Sequence, residues 1–377
     1  QGKKPNASFI PVARITDLLE KPGEAFTYNG RTHTYPDTRM VWWAGGNPFH
    51  HHQDLARLER AWAKPETIVV QDIVWTPTAK RADIVLPAAS SLERNDIGGS
   101  RRSDHIMALK RAVAPLFGSR PEYDIVRHVA SHLGVEAAFS EGRGEMDWIR
   151  HMYEEVRADA EAQGIAQLPA FEGFWEVGRV TVPTRGQVVH LAEFRADPER
   201  HRLGTESGKI VLYSETLAKL GYDDCPPHAA WIPKSETLRA EKARVNPFHL
   251  VTAQPEGRLH SQIDFGRVSR QHKTAGRETV LLNPVDARRL GLADGDTALL
   301  HNDRGRCLAG VRISSDVRAN VAVLPTGAWY LPYASAEGPL DIAGNPNVLT
   351  QDVGASAFSQ GCSAHTCLVA ISRYEGN

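Results

Sequence analysis

The residues best placed to hold a ligand follow a predicted buried strand near the beginning of the chain. Residues 44–53 read Ala-Gly-Gly-Asn-Pro-Phe-His-His-His-Gln. Two consecutive glycines let the backbone turn sharply and approach a ligand closely. A helix that begins there offers free N–H groups to an anion. The segment is not the Gly-x-Gly-x-x-Gly motif, so a tight turn without a ligand is an equally good interpretation.

Three consecutive histidines in this segment raise the question of a metal site. Neighbouring side chains of a helix or strand project in different directions. We therefore do not expect His50, His51 and His52 to bind one metal ion together. Hydrogen bonding of one of them to a ligand in the turn is the preferred interpretation, and helix capping or surface exposure is the alternative.

A second group of polar side chains follows the next predicted strand. Gln71 and Asp72 come directly after a β-branched run, and Thr76 and Thr78 follow shortly afterwards. A carboxylate past a strand end can accept two hydrogen bonds from a ribose diol or from the edge of a guanine. The two threonines are candidate hydroxyl donors to a ligand, or helix N-caps.

Polar side chains are also dense in three loops of the last third of the chain, at residues 252–262, 344–347 and 359–361. The first loop holds an arginine, a histidine, a serine and a glutamine almost together, which suits a polar, anionic ligand. No acid–base pair is indicated by spacing, and neither a nucleophile elbow nor a Walker loop occurs. The sequence therefore predicts binding residues but no catalytic residue.

Composition excludes several classes of function. The net charge of −1 gives no electrostatic reason to expect nucleic acid or an anionic membrane as a partner. No run approaches the roughly 20 apolar residues that span a bilayer. The four cysteines include no Cys-x-x-Cys pair, so a thiolate-bound zinc or iron–sulfur site is not expected. We expect them to be buried free thiols. The chain opens with Gln1, and we expect it to begin partway through a longer protein.

Strand and helix patterns alternate through the first third of the chain, which predicts a parallel sheet in an α/β layer. The predicted strands are residues 39–44, 67–70 and 83–87, and the predicted helices are residues 53–64, 123–133 and 145–163.

Short strands with frequent turns from about residue 247 onward predict a β-barrel. Three parts are therefore expected: an α/β domain over residues 1–185, an extended connector over 186–245 and a barrel domain over 246–377. Between residues 168 and 246 we expect the aromatic side chains Phe171, Phe174, Trp175, Tyr213 and Trp231 to be buried.

Several long segments resemble the dimethyl sulfoxide reductase family of molybdenum enzymes, in the branch of dimethyl sulfoxide, trimethylamine N-oxide and biotin sulfoxide reductases. They are GGNPFHHHQDL (45–55), WTPTAKRADIVLPAASSLERNDIGG (75–99), QPEGRLHSQ (254–262), DGD (294–296), HNDRG (301–305), TGAWY (326–330) and GNPNVLTQDVG (344–354). The resemblance implies a bis(molybdopterin guanine dinucleotide) cofactor with molybdenum. It also implies a parallel-sheet nucleotide-binding domain, part of the family's third domain, followed by a barrel of the double-psi type.

The resemblance further implies roles for individual residues. Asn47, His51, Gln71 and Asp72 are expected to hold one guanine dinucleotide arm, with Thr76, Arg102 and Asp104 as further candidates nearby. The residues expected to contact pterin, pyrophosphate or their linkers are Arg258, His260, Ser261, Gln262, Asn345, Asn347 and Gln360.

No metal ligand is predicted in this chain. The serine that ligates molybdenum in this branch lies in the N-terminal half of the family's proteins, and no segment here matches its motif. Many relatives read Tyr-Asp-Pro where this chain has Tyr330-Leu331-Pro332, so no carboxylate role is assigned there.

The implied function is that of the C-terminal portion of a reductase of S-oxides or N-oxides, acting by oxygen-atom transfer and inactive as this portion alone. The implied partners are the N-terminal half of the enzyme, in the same or a separate chain, a small oxide substrate and an electron donor. The alternative is a non-catalytic module that binds the cofactor. The sequence leaves open the substrate, the donor, the oligomeric state, and whether the compartment is periplasmic or cytoplasmic.

Overall fold

The computed structural model describes residues 9–100, 102–183 and 186–376. Its α-helices are α1 (Ile15–Glu20), α2 (Pro48–His51), α3 (Leu55–Trp62), α4 (Glu122–His132), α5 (Glu136–Ser140), α6 (Glu145–Ala162), α7 (Phe171–Val177), α8 (Ala192–Ala196), α9 (Glu215–Leu220), α10 (Arg267–Gln271) and α11 (Pro284–Leu290). Short 3₁₀ helices cover Val12–Arg14, Ala79–Arg81, Glu241–Arg244 and Pro346–Val348.

The strands are β1 (Ala25–Tyr28), β2 (Arg31–Thr34), β3 (Met40–Ala44), β4 (Thr67–Asp72), β5 (Ile84–Pro87), β6 (Asp96–Gly99), β7 (His105–Leu109), β8 (Arg179–Thr181), β9 (Phe248–Val251), β10 (Thr279–Leu282), β11 (Thr297–His301), β12 (Arg306–Ile313), β13 (Val321–Val323), β14 (Pro332–Ser335), β15 (Gly338–Asp341) and β16 (Cys367–Arg373). The predicted strands and helices named above all form, with ends shifted by at most a few residues. No helix among the described residues is long and apolar enough to cross a membrane.

The described chain divides into two compact units. The first comprises residues 9–69, 75–84 and 212–376, and the second comprises residues 70–74 and the described part of 85–211. The three-part division predicted from sequence stays a prediction, and its boundary at residue 185 lies outside the described residues.

Strands β3, β4 and β5 form the predicted parallel α/β sheet, in that order. Ile68, Val69 and Val70 on β4 are buried, as the β-branched pattern requires. Strand β4 and the strand after it advance in the same direction, because the amide of Asp83 donates to the Ile68 carbonyl at 2.9 Å and the amide of Ala88 to the Asp72 carbonyl at 3.0 Å.

The second unit also contains an antiparallel sheet, β6-β7-β8, that the sequence did not predict. Glycines at 98 and 99 end β6 and weaken its strand pattern, which explains why the hairpin was missed. The core of this unit comprises Ile149 and Tyr153 of α6 and Phe171 and Phe174 of α7. The rings of Tyr153 and Phe174 stack with centroids 4.2 Å apart.

The last third forms the predicted barrel. The strand order β10-β13-β9-β16-β11-β12 is closed by a parallel pairing between β10 and β12, which gives a closed barrel of six strands. A hairpin of β14 and β15 extends the sheet from β12. Buried and partly exposed side chains alternate along β9 and β11, where Leu250 and Leu300 are fully buried. Closure leaves no open edge on these six strands and gives their loops a rigid support.

The predicted burial of aromatic residues between residues 168 and 246 is correct for Phe171 and Phe174 and wrong for two others. Trp231 is 84% exposed and Tyr213 is 53% exposed. The reason is that residues 212–240 form one short helix, α9, and otherwise turns, which offer few apolar faces for packing.

Candidate functional site

A cleft of about 530 Å³ lies in the first unit, between the turn after β3 and loops of the barrel. It brings together residues far apart in sequence. Six of the residues predicted to bind a cofactor line it: Asn47, His51, His260, Ser261, Gln262 and Asn347. Other lining residues include Gly46, His50, Gln53, Thr252, Gln254, Thr326, Cys362, Ala364 and His365.

The turn after β3 has the backbone that its two glycines permit. Gly45 and Gly46 adopt φ values of 68° and 77°, in the left-handed region that favours glycine. Asn47 then caps α2, whose short turn carries His50 and His51. Helix α2 has only four residues, so the ligand-holding capacity of this turn comes from its side chains more than from a helix N-terminus.

Two buried side-chain atoms on this turn have no hydrogen-bond partner in the described chain. The Asn47 side chain accepts a 2.6 Å hydrogen bond from the Thr78 hydroxyl on Oδ1, and its Nδ2 is left without an acceptor. Nε2 of His50 is also unpaired, although this residue is 2% exposed. Buried polar groups are nearly always hydrogen-bonded, so these atoms indicate that the cleft is shaped to receive a polar ligand.

Two of the cleft histidines, His50 and His51, are held in the neutral form. Burial lowers the pKa of His50 to about 3, and repulsion from His51, His260 and Arg258 acts in the same direction. The pKa of His51 falls to about 4, first because of its enclosed position and then because of His52 and His260. His51 as a whole residue is exposed to solvent where it lines the cleft. Neutral imidazoles can donate through one nitrogen and accept through the other.

His52 points away from the cleft, as expected for the third of three consecutive residues. Its Nε2 lies 2.7 Å from the Thr16 hydroxyl and 3.1 Å from Oδ2 of Asp352. Asp352 also pairs with Arg14 at 2.7 Å and with Arg57 at 3.3 Å. This buried charged cluster fixes the histidine turn from behind. Burial acts to raise the pKa of Asp352, but the hydrogen bond with His52 and the positive charge of Arg14 outweigh it and lower that pKa.

From the barrel side, Asn347 fixes the same turn. Its Nδ2 donates to the carbonyl oxygen of His50 at 2.7 Å, and its Oδ1 accepts from the Thr350 hydroxyl at 2.9 Å. Asn345 is fully buried and donates to the Ala328 carbonyl at 2.9 Å. Asn347 therefore lies at the cleft, whereas the side chain of Asn345 forms its hydrogen bond within the protein interior.

Arg258 is also engaged within the protein. Its guanidinium is 2.5 Å from Glu278 and 3.4 Å from Asp264, and its Nε donates to the His260 carbonyl at 3.1 Å. Its Nη1 remains buried without a partner. Burial raises the pKa of Glu278 despite the nearby arginine. Arg258 thus supports the loop that carries His260, whose φ of 50° is unusual for a residue other than glycine.

The structure places the remaining candidates of the first unit outside the cleft lining. Thr76 accepts a hydrogen bond from the amide of Ala79 at 3.2 Å, whereas the N-cap position of the following 3₁₀ helix belongs to Thr78, which forms no side-chain capping hydrogen bond. Gln360 donates from Nε2 to the Thr27 carbonyl at 2.8 Å and ties its loop to the β1–β2 hairpin.

The other four predicted binding residues belong to the second unit. Gln71 is 2% exposed; its Nε2 donates to Glu122 at 3.1 Å and its Oε1 has no partner in the described chain. Asp72 accepts on Oδ1 from the following amide, that of Ile73, at 2.8 Å. Arg102 and Asp104 are exposed residues of the turn before β7.

Three cleft residues were missed from the sequence: Thr326, Cys362 and His365. Each stands alone in a loop, where no periodic pattern marks a polar residue as facing a ligand. The imidazole Nδ1 of His365 lies 3.4 Å from the Thr252 hydroxyl. The expectation of buried thiols is correct for Cys307 and Cys367 and wrong for Cys362, which is exposed because it lies on the cleft wall.

The arrangement is chemically suited to binding through many neutral hydrogen bonds. No group of three or more His, Cys, Asp or Glu side chains in the described parts of the chain could hold a metal ion. The site therefore consists of a polar cleft against a rigid barrel, a common location for cofactors.

Two family models match the chain and define its class. The model described as the molydopterin dinucleotide binding domain matches residues 248–368, and the model described as molybdopterin oxidoreductase matches residues 17–132. The first covers the barrel, and the second covers the turn after β3. Together they indicate a bis(molybdopterin guanine dinucleotide) molybdenum cofactor.

Similarity to individual proteins identifies the family within this class. The chain is 55% identical to a biotin sulfoxide reductase of Cereibacter sphaeroides over all its residues and 50% of that protein. It is 44% identical to a dimethyl sulfoxide/trimethylamine N-oxide reductase of Rhodobacter capsulatus, over 98% of the chain and 45% of that protein. The chain belongs to the dimethyl sulfoxide reductase family of molybdopterin oxidoreductases. It spans about half the length of the curated relatives it matches.

A solved structure shares the fold. Acetylene hydratase from Pelobacter acetylenicus superposes with a TM-score of 0.69 at 19% identity, over 96% of this chain and 46% of that one. At this identity the likeness concerns architecture alone.

The cleft fits the dinucleotide part of such a cofactor. A guanine dinucleotide offers hydrogen-bond donors and acceptors and a pyrophosphate. The unpaired Nδ2 of Asn47 is a donor, and the unpaired Nε2 of His50 can act as either partner. The hydroxyl and amide groups of Ser261 and Gln262 line the same cleft. The donor set is thus rich in neutral hydrogen-bonding groups, as a nucleotide requires.

Proposed function

We propose that this chain is the C-terminal portion of a molybdenum reductase of S-oxides or N-oxides and that its cleft holds one guanine dinucleotide arm of the cofactor. The observation that carries the proposal is the pair of buried, unpartnered atoms on the turn after β3, Nδ2 of Asn47 and Nε2 of His50. A ligand that satisfies both would recover the free energy lost by leaving them unpaired, about 1–3 kcal/mol for each group.

In this proposal the ligand is bound from two sides of the cleft. Asn47 and His51 hold the nucleotide from the turn, while His260, Ser261 and Gln262 bind from the barrel loop. Asn347 keeps the His50 carbonyl in place through its 2.7 Å hydrogen bond. When bound, the cofactor supplies the oxygen-atom transfer chemistry, and the residues of this chain bind and orient it.

Within the second unit, Gln71 and Asp72 stay predicted cofactor-binding residues, with Arg102 and Asp104 as further candidates. The unpaired Oε1 of Gln71 supports an assignment as an acceptor for guanine N–H groups. Four further residues remain predicted cofactor-binding residues, although their side chains form the hydrogen bonds described above with the protein itself: Arg258, Asn345, Thr76 and Gln360.

The partners follow from the length of the relatives. We propose that the rest of the enzyme, in the same or a separate chain, supplies the metal ligand and most of the substrate funnel. A small oxide and an electron donor complete the reaction. The names of the relatives, which include reductases of biotin sulfoxide, dimethyl sulfoxide and trimethylamine N-oxide, support an S-oxide or N-oxide as the substrate.

The thiol of Cys362 provides a direct test, because it lies exposed on the cleft wall while Cys225 lies outside the cleft lining. The experiment compares iodoacetamide labelling of the full-length enzyme with and without molybdopterin guanine dinucleotide, quantified by mass spectrometry. We expect bound cofactor to reduce the labelling of Cys362 by about tenfold or more, because a covered thiol is less accessible to the reagent. The labelling of Cys225 should stay unchanged. Equal labelling of Cys362 in the two forms would place the cofactor elsewhere.

A further inference from the structure

A second pocket, of about 530 Å³, lies entirely within the second unit and takes no part in the cofactor cleft. It is formed by the residues before and at the start of β6, by the first turn of α4, by α5 and by one face of α6. Its walls are mainly apolar. Tyr123, Phe139 and Trp148 provide three aromatic rings, and Ile149 and Met152 provide aliphatic surface.

The aromatic walls are held in fixed positions. The indole N–H of Trp148 donates to the Tyr123 hydroxyl at 3.2 Å, and that hydroxyl donates to the Arg143 carbonyl at 2.5 Å. The rings of Tyr123 and Phe139 stack with centroids 5.6 Å apart. A ligand therefore meets a preformed aromatic surface, which lowers the entropy lost on binding.

Carboxylates line the pocket in excess over cations. Arg94 is paired with Asp96, and this leaves Glu122 and Glu145. Glu122 accepts a hydrogen bond from Gln71 at 3.1 Å, and Glu145 accepts one from Asn95 at 2.9 Å. Both donors are neutral amides. Within the described part of the chain neither glutamate forms an ion pair, so two negative charges face an aromatic pocket without counter-ions.

We propose that this pocket binds a small organic cation, an ammonium group carrying apolar substituents. The faces of aromatic rings attract cations, and quaternary ammonium groups are recognised in this way. The two glutamates supply the opposite charge, and the apolar walls accept the substituents. A neutral apolar ligand would leave the glutamates uncompensated, and a strongly hydrated inorganic cation would leave the rings unused.

The same chemistry already occurs beside the pocket. The guanidinium of Arg143 lies over the Trp148 ring, 4.6 Å from its centroid, and is itself neutralised by Glu141. The Trp148 indole thus already contacts one cation of the protein, Arg143, and Glu141 balances the charge of that arginine. This leaves the charges of Glu122 and Glu145 available to the ligand.

The test uses choline and its neutral isostere 3,3-dimethylbutan-1-ol, titrated calorimetrically into the purified full-length enzyme. We expect choline to bind about tenfold or more tightly than the isostere, as a cation–π contact plus opposite charge provides, and its binding to weaken with added salt. The double variant Glu122→Gln, Glu145→Gln keeps the pocket's shape and should reduce the preference for choline to about twofold or less. Trp148→Leu should weaken choline by about tenfold.

The matched control is Glu155→Gln, which removes an exposed carboxylate from the same helix, outside the pocket lining, and should bind choline like the parent. Circular dichroism melting of each variant identifies any loss of folding, and the double glutamine variant keeps the test valid if Trp148→Leu unfolds. Absence of choline binding, or equal binding of the isostere, would overturn the proposal. Neither result bears on the cleft lining of the first unit. The single variant Glu145→Gln tests the pocket without changing the hydrogen-bond partner of Gln71, a proposed cofactor-binding residue.

Discussion

Asp72, at the end of β4, is the residue on which the proposed guanine contact in the second unit depends most. Removing one partner from a buried polar contact costs about 1–3 kcal/mol, and about 1.4 kcal/mol corresponds to a tenfold change in affinity. We therefore expect Asp72→Ala in the full-length enzyme to lower molybdenum content by roughly tenfold to a hundredfold when cofactor is limiting. The fold should survive, because the residue is at a strand end and partly exposed.

The competing explanation for Asp72 is a local one, since its Oδ1 accepts from the amide of Ile73. A purely local role would lower the melting temperature of the cofactor-free protein and leave molybdenum loading intact. Molybdenum analysis and thermal unfolding of the same variant distinguish the two. Full loading combined with a lowered melting temperature would remove Asp72 from the binding site.

His50 makes the cofactor-free chain sensitive to acid. Its folded-state pKa of about 3 lies below that of an unfolded histidine, about 6.5, so the unfolded chain takes up the proton first as the pH falls. Stability from this residue is present above about pH 6.5 and is lost between that value and about pH 3. The loss has a limiting slope of about 1.4 kcal/mol per pH unit.

This prediction is checked by denaturant unfolding of the parent and of His50→Gln between neutral pH and pH 4. The variant should have a shallower decline of unfolding free energy with falling pH, while other titrating groups contribute equally to both proteins. His132→Gln, at an exposed site at the end of α4, is the control and should follow the parent. Parallel curves for parent and His50→Gln would show that the ring is not held neutral.

At the scale of elements, the turn from β3 into α2 depends on the conformation of Gly46. Its φ of 77° is costly for a residue with a Cβ atom, by about 1–2 kcal/mol. A Cβ there would also lie 3.6 Å from Nε1 of Trp43, an ordinary contact, so the expected cost is conformational. Gly46→Ala should lower the unfolding free energy by this amount and reduce cofactor loading.

The matched control is Gly99→Ala on β6, where no atom lies within 4 Å of the added Cβ and φ is outside the left-handed region. Its unfolding free energy and molybdenum content should stay close to those of the parent. If Gly46→Ala also behaved like the parent, the turn would be able to adopt another backbone conformation, and the glycine would have no special role.

Helices and strands with a clear pattern of apolar or β-branched residues were predictable from the sequence. Strand β4 is a short β-branched run, and α3 and α4 have apolar residues at helical spacing, so each forms close to its predicted bounds. The β1–β2 hairpin was missed although Asn29-Gly30, both at positive φ, is a strong turn signal. The antiparallel β6-β7-β8 sheet was missed because strand direction depends on tertiary pairing, which local pattern does not encode.

The candidate site was predictable in its positions and less so in its orientations. Motif resemblance selected Asn47, His51 and the 260–262 loop, and the structure places all of them on one cleft. It also selected Arg258 and Asn345, whose polar atoms bond to the protein itself. A sequence reports that a side chain can hydrogen-bond, but whether it faces a ligand or a neighbouring loop depends on packing.

At the scale of the whole molecule, we predict that the 377-residue chain binds the cofactor without turning over substrate. The resemblance places the serine that ligates molybdenum in the N-terminal half of the enzyme, and no segment of this chain matches its motif. Oxidation of a reduced viologen by dimethyl sulfoxide or trimethylamine N-oxide should therefore remain at the background rate after the purified chain is supplied with cofactor. Oxide-dependent turnover by this chain alone would contradict the prediction.

The control for this experiment is the full-length enzyme, assayed with the same donor and oxides. Turnover by the full-length enzyme supports the reductase proposal. A full-length enzyme that takes up molybdenum cofactor but reduces neither oxide would favour the alternative of a non-catalytic cofactor-binding module.

The charged cluster behind the histidine turn has a consequence for biosynthesis. The ion pair between Arg14 and Asp352 joins positions 338 residues apart, and His52 and Asp352 are 300 apart. Contacts this distant in sequence form late, because the intervening chain must be ordered first. On the ribosome, the rear wall of the cleft can close only after residue 352 has been translated. A nascent chain stalled before that residue should therefore fail to retain the cofactor.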